Sequence, residues 1–246
     1  MAAKSRKTST FLSKSLFLRG LQCHKSLYLH KYRADLRDEM TEAQEALFQS
    51  GIEVGIYAQE LFPNGVEIIF EGVPLSDQLK LTAAEIKKGA DRLYEATFSH
   101  DGILVKVDIL CKGKQGWEIY EVKASSAVKE VHLDDVAIQY YVLAGLGIPV
   151  SKACLVHINT HYVKHGEIEA AELFAVEDLT DAVVERQGAF KEEITRLKAM
   201  LRGDMPLIDI GRHCENPYRC DFYGHCWQYI PEDSVFKLRG RGPDRY

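Results

Sequence analysis

No apolar run in these 246 residues approaches the roughly 20 that a membrane-spanning helix needs. The basic, Ser-rich start MAAKSRKTSTFLSKSLFLRG is not followed by a long apolar stretch, so the pattern of a secretory signal is missing. A transit peptide is the alternative that such a start leaves open, and a cytoplasmic protein is the expectation. Internal repeats and low-complexity tracts are absent as well, which excludes solenoids and long disordered linkers. The chain is no polycation, since its formal net charge is −5. What remains, 46% hydrophobic and 27% charged residues, suffices for a sizeable buried core in a soluble globular protein.

The charge is uneven. Lys4, Arg6, Lys7, Lys14, Arg19, Lys25, Lys31, Arg33 and Arg37 face only Asp35, Asp38 and Glu39 in the first 40 residues, and acids concentrate further on. Basic ends on an acidic body suit a phosphate-binding face, and equally a solvated N-terminal helix. Six cysteines stand at 23, 111, 154, 214, 220 and 226. Three crowd one end of a large chain that lacks a signal, which favours a reduced compartment and a metal or cluster site over disulfides.

Periodicity predicts a helix over 8–32, a long helix from Thr41 to the Pro63-Asn64-Gly65 turn, a short strand over 66–70 and a helix over 81–92. Strands over 93–98, 103–111 and 117–123 form a meander with short turns. A helix over 133–146, a strand over 150–159, a strand over 171–176 and a charged helix over 179–201 complete the body. The tail from 208 has little periodicity and many Cys, His and aromatic residues. A meander, a helix and a further strand predict an α/β (α+β) fold with a mixed sheet flanked by helices. The expected organisation is an N-terminal helix over 1–40, a core over 41–205 and a cysteine-rich tail over 206–246.

The central stretch is VKVDILCKGKQGWEIYEVKAS, residues 105–125. Strand alternation puts Asp108 on one face of the first run, and Glu121 and Lys123 together on one face of the second. Two carboxylates in a β-rich core cost several kcal/mol in order of magnitude unless a cation joins them. Mg²⁺ or Mn²⁺ suits such oxygen donors, and Lys123 can orient water or neutralise developing charge. The competing reading is a surface hairpin with a cross-strand Glu–Lys pair.

The pattern Asp108-(x12)-Glu121-Val122-Lys123 resembles the core motif of the PD-(D/E)XK nuclease superfamily. The resemblance implies a restriction-endonuclease-like core in which Asp108, Glu121 and the Val122 backbone carbonyl bind the metal and Lys123 assists the attacking water. RecB-type members carry Gln and Tyr on the following helix, usually as Q-x-x-x-Y. Here Gln139 matches, while the nearest tyrosines are Tyr140 and Tyr141. Many members also have a metal-binding His on the preceding long helix. GIEVGIYAQELF has none, and Glu53 or Gln59 is the candidate substitute, Glu53 being the better ligand.

Cys214, Cys220 and Cys226 form C-x5-C-x5-C. By spacing alone zinc, with His213 or His225 as fourth ligand, and an iron–sulfur cluster, with Cys23, are equal readings. One cysteine before the core and three after it resembles the iron–sulfur nucleases of the AddB type and the CRISPR-associated RecB-like exonucleases. EVGIYAQELFP, PYRCDFYGHC and the cysteine spacing are similar to a large bacterial protein family. The resemblance implies a [4Fe–4S] cluster on Cys23, Cys214, Cys220 and Cys226. Arg212, Arg219 and Tyr140 are candidate nucleic-acid contacts, Arg212 and Arg219 lying among aromatics that suit either stacking on bases or packing around a cluster. The implied function is a Mg²⁺- or Mn²⁺-dependent DNA exonuclease acting on single strands or ends in repair, recombination or CRISPR-type defence, with adaptation or repair proteins as partners. A catalytically degenerate iron–sulfur nucleic-acid module and a zinc-stabilised nuclease-like protein are the alternatives.

Overall fold

The computed structural model describes residues 11–231, 233 and 234. It divides into two compact units. One comprises residues 11–14 and 42–192. The other takes 15–41 and the described residues from 193 on.

Among the described residues the first unit holds one mixed sheet of seven strands. In chain order these are β1 (Leu12–Ser13), β2 (Val66–Glu67), β3 (Arg92–His100), β4 (Ile103–Lys112), β5 (Trp117–Lys123), β6 (Val150–Ile158) and β7 (Phe174–Asp178). The path runs β2-β3-β4-β5-β6-β7, with β1 attached to β4. β3, β4 and β5 are antiparallel neighbours, and β6 runs parallel to β5. The sheet is thus mixed and flanked by helices.

The helices of this unit follow their sequence signals. Helix α3 (Glu42–Gln59) buries Ala58 beside partly buried Val54, one turn apart on one helical face, and Leu61 and Phe62 continue the packing in the turn that follows. That face packs on Tyr94, Ile109, Tyr120, Val122 and Val156. Helix α4 (Leu75–Lys88) begins after Pro74 and has Asp77 in its first turn and Lys87 and Lys88 in its last, as the helix dipole favours. It ends at Gly89, whose φ of 93° is the left-handed cap that glycine adopts without penalty. It therefore lies earlier than the 81–92 expected. Helix α5 (Glu130–Gly145) buries Val136, Ala137, Ile138, Val142 and Leu143 and packs against β3, β4, β5 and β6.

In the second unit the expected single helix is two, α1 (Lys14–Gln22, entering from the first unit) and α2 (His24–Tyr32). They break at Cys23, whose extended backbone (φ −162°, ψ 117°) caps α2. Residues 8–10 of that expectation lie outside the described residues, and 12–13 are strand. Helix α7 (Thr180–Met200) crosses from the first unit into the second. Residues 171–176, expected as strand, divide into helix α6 (Ala170–Leu173) and the start of β7. The tail is mostly irregular, with a tight turn at Arg212–Cys214 and helix α8 (Tyr223–Trp227).

Candidate functional site

The register places the acidic residues. Ile109 pairs with Tyr120 and Leu110 with Ile119, so Asp108 and Glu121 come next on adjacent strands. The β4–β5 ladder stops there. From Ile103 to Leu104 β4 instead pairs with β1, in parallel. Where the strands part, Asp108 Oδ2 accepts the Val122 N–H at 2.8 Å, a donor the ladder no longer serves. On the other side, Tyr94↔Ile109 and Ala96↔Val107 leave Glu95 opposite Asp108. Glu95 has φ 55°, rare for a residue with a side chain, and burial raises its carboxyl pKa.

Glu121 is the hub of a buried polar cluster and is 1% exposed. Lys123 Nζ donates to its Oε1 at 2.6 Å, and Gln139 Nε2 to its Oε2 at 2.7 Å. Lys14 Nζ lies 2.8 Å from both oxygens. Helix α5 adds Asp135, one turn before Gln139 and buried. Its Oδ2 is 2.5 Å from Lys123 Nζ, and its Oδ1 is 3.0 Å from Lys14 Nζ. The Lys14–Asp135 contact is ionic without hydrogen-bond alignment, since Asp135 Oδ1 has no hydrogen-bond partner. The Oε1 of fully buried Gln139 lacks one too.

Electrostatics follow from this packing. Burial opposes the charge on Glu121, but Lys123 and Lys14 outweigh it and hold the carboxyl far below the usual range. Burial likewise opposes both ammoniums, and the surrounding carboxylates overcome it, so both stay charged above the ordinary lysine range. Asp108 goes the other way. Burial, then the charge of Glu121, pushes it up to about 7.

The oxygen set of Asp108, Glu121 and the Val122 carbonyl has the chemistry that Mg²⁺ and Mn²⁺ prefer, and the Gln139 Oε1 and Asp135 Oδ1 that lack a hydrogen-bond donor lie in the same cluster. Among the described residues no three His, Cys, Asp or Glu side chains converge as a single-ion site. The donors fit a hard cation, in an arrangement neutralised by ammonium groups.

The structure thus brings Asp108, Glu121, Lys123 and Gln139 together. It does not bring Glu53 to them. Helix α3 packs on the sheet face that carries Tyr120 and Val122, opposite to Asp108 and Glu121, and Glu53 is exposed there. Tyr140 is half-buried one position beyond Gln139, and Tyr141 donates to Asp101 at 3.2 Å. Sequence reasoning missed Asp135 and Lys14. For Asp135 the signal was available, because i and i+4 share a helix face with Gln139.

In the second unit Cys23, Cys214, Cys220 and Cys226 line one cavity with Ser26, Ile208, Ile210, Phe222 and Tyr223. Cys23 stands at the α1–α2 break and Cys214 at the end of the Arg212–Cys214 turn. Burial raises the thiol pKa of Cys23 and of Cys226. Four cysteines on one cavity are a donor set suited to a thiolate-bound metal or cluster. Cys111 and Cys154 are buried in β4 and β6 of the first unit and do not line this cavity. Arg219 stacks on Tyr223 at 4.1 Å, and Tyr223 on Trp227 at 4.7 Å. Arg212 is exposed in its turn.

No protein-family model matches the chain, and no curated protein matches it. Among solved structures it is similar to the alkaline exonuclease LHK-Exo of Laribacter hongkongensis, at 13% identity and a TM-score of 0.43, over 78% of this chain and 88% of that one. LHK-Exo in complex with dAMP matches with the same figures. The protein SSO0001 matches at 13% identity and a TM-score of 0.39, over 83% and 82% of the two chains. No helix among the described residues is long and apolar enough to cross a membrane.

Proposed function

We propose that this chain is a Mg²⁺- or Mn²⁺-dependent deoxyribonuclease, acting on single-stranded DNA or DNA ends, with a [4Fe–4S] cluster in its second unit. One observation carries the reading. Glu121, beside Asp108 at the point where β4 and β5 part, holds Lys123 and Gln139 on its two oxygens. A buried carboxylate pair with an ammonium and an amide in fixed reach is suited to a phosphodiester and its attacking water.

Asp108, Glu121 and the Val122 carbonyl would hold the cation. When bound, it supplies Lewis acidity and water activation. Glu121 and Asp135 hold the Lys123 ammonium charged in the metal-free protein, which suits it to orient water or to meet charge developing on the phosphoryl oxygens. Gln139 fixes Glu121 through its NH₂ group and leaves its Oε1 to accept from water. Exonuclease action, repair or CRISPR-type defence, and the corresponding protein partners come from the motif resemblance.

Four cysteines on one cavity are the observation behind the thiolate-bound group, and the motif resemblance favours a cluster over zinc. A catalytically silent nucleic-acid module is the second reading, favoured by the two ammonium groups already on Glu121. Anaerobically purified protein with Mn²⁺ should degrade labelled single-stranded DNA. Asp108→Ala and Lys123→Ala should slow this by about 100-fold or more, the scale of a lost general acid or charge stabiliser. Equal cleavage by all three proteins would remove the catalytic assignment, and no cleavage by wild type would favour the silent module.

A further inference from the structure

Lys14 lies outside the D…E-x-K motif, yet it makes two of the closest contacts to its central carboxylate. Its position is built by β1. Leu12 is fully buried, its N–H donates to the Gly102 carbonyl at 2.9 Å, and Leu12 and Ser13 pair with Ile103 and Leu104. This short strand takes up the part of β4 that β5 has left, and Lys14 follows it directly.

The contacts on Glu121 leave no room for another ligand. Oε1 accepts from Lys14 and Lys123, and Oε2 from Lys14 and Gln139. An ionised carboxylate offers about four lone-pair directions, and all are engaged. Lys14 and Lys123 also pair with the buried carboxylates of Glu121 and Asp135. A cation that coordinates Glu121 has to replace one of these ammonium contacts. Of the two, Lys123 has the shorter contacts and lies on β5 two residues from Glu121. Lys14 meets Asp135 without hydrogen-bond alignment.

We propose that Lys14 is an internal competitor for the divalent cation: its ammonium fills the space on Glu121 that a cation needs, and loading the site requires Lys14 to swing away. This rests on the reading of Asp108 and Glu121 as a cation site. The freed ammonium is then available to a phosphodiester, so cation and substrate together draw it off Glu121.

The test is Mn²⁺ binding to full-length, chelator-treated protein, followed by calorimetry and by loss of the free-ion paramagnetic resonance signal. Wild type is compared with Lys14→Met, Lys14→Arg and Glu121→Gln. Lys14→Met should bind Mn²⁺ tighter by about tenfold or more, because charge-assisted hydrogen bonds no longer have to be broken. Lys14→Arg, which keeps the charge, should stay near wild type. Glu121→Gln should lose the site. Unchanged or weaker binding by Lys14→Met, with Glu121→Gln still deficient, overturns the proposal and leaves the cation site standing. Wild-type binding by Glu121→Gln overturns both. If Lys14→Met does not fold, wild type decides. Its Lys14 ammonium ¹H–¹⁵N signal, assigned through Lys14→Arg, should move on adding Mg²⁺, and a signal that stays in place refutes displacement.

Discussion

Replacing Asp108 with Asn should make the metal-free protein more stable at pH 8, not less. Asn is isosteric, and its carbonyl oxygen can still accept the Val122 N–H that Asp108 accepts at 2.8 Å. What it removes is a carboxyl whose folded pKa is raised from 3.8 to about 7 by burial and by Glu121. A raised pKa stabilises the fold fully below the unfolded value and progressively less as pH rises through the folded one. Metal-free wild type should therefore lose stability between about pH 4 and 7 and then level off, through this one group. A shift of this size corresponds to at most about 4 kcal/mol at 1.36 kcal/mol per pKa unit. Because Asp108 keeps part of its surface in water, about 2 kcal/mol is the better expectation. Urea unfolding in EDTA reads the effect, followed through Trp117 on β5 in a Trp227→Phe background so that only the first unit reports. The stability difference between wild type and Asp108→Asn is plotted from pH 4.5 to 8. Over that range Glu121 stays ionised in both folded proteins, so its contribution cancels in the difference. A flat difference, or an Asn variant that is weaker at pH 8, would refute the electrostatic account of Asp108.

Other outcomes follow from the same geometry. Gln139→Leu removes the donor to Glu121 Oε2 in a fully buried position and should cost about 1–3 kcal/mol, measured by thermal unfolding in EDTA. Gly20→Ala would place a Cβ 2.6 Å from Leu197 Cδ1 and 3.0 Å from Leu27 Cδ2, and overpacking of this kind should cost about 1–3 kcal/mol in the second unit. Cys23→Ser should abolish the brown visible absorption expected of anaerobic protein and lower bound iron. An unchanged spectrum would exclude Cys23 as a cluster ligand.

The sheet was legible because its strands carry their own punctuation. Asp101-Gly102 and Gly113–Gly116 mark the two turns, and alternation then fixes the faces of Asp108, Glu121 and Lys123. Gln139 was legible from the motif, and Asp135 could have been read from the helical repeat that joins the two. Glu53 was misplaced for a reason visible in its own helix. Val54 and Ala58 define the packed face of α3, with Leu61 and Phe62 just after it, and that face meets the side of the sheet away from Glu121. The helix expected over 8–32 overran Cys23 because apolar periodicity persists on both sides of the break. Lys14 was beyond reach. Its partner is 107 positions away, and no local pattern encodes a contact at that separation.

That separation sets an order of events during synthesis. Lys14 leaves the ribosome on the order of ten seconds before Glu121, at translation speeds of about 5–20 residues per second. The hairpins of β3, β4 and β5 close over short loops, whereas β1 must find β4 across nearly ninety residues. The acidic edge thus emerges with one of its counter-charges already made and tethered upstream. A chain shortened to begin after Lys14 would have to fold that edge without it. Such a chain should depend on added divalent cation for folding yield, a dependence that full-length protein in EDTA should lack.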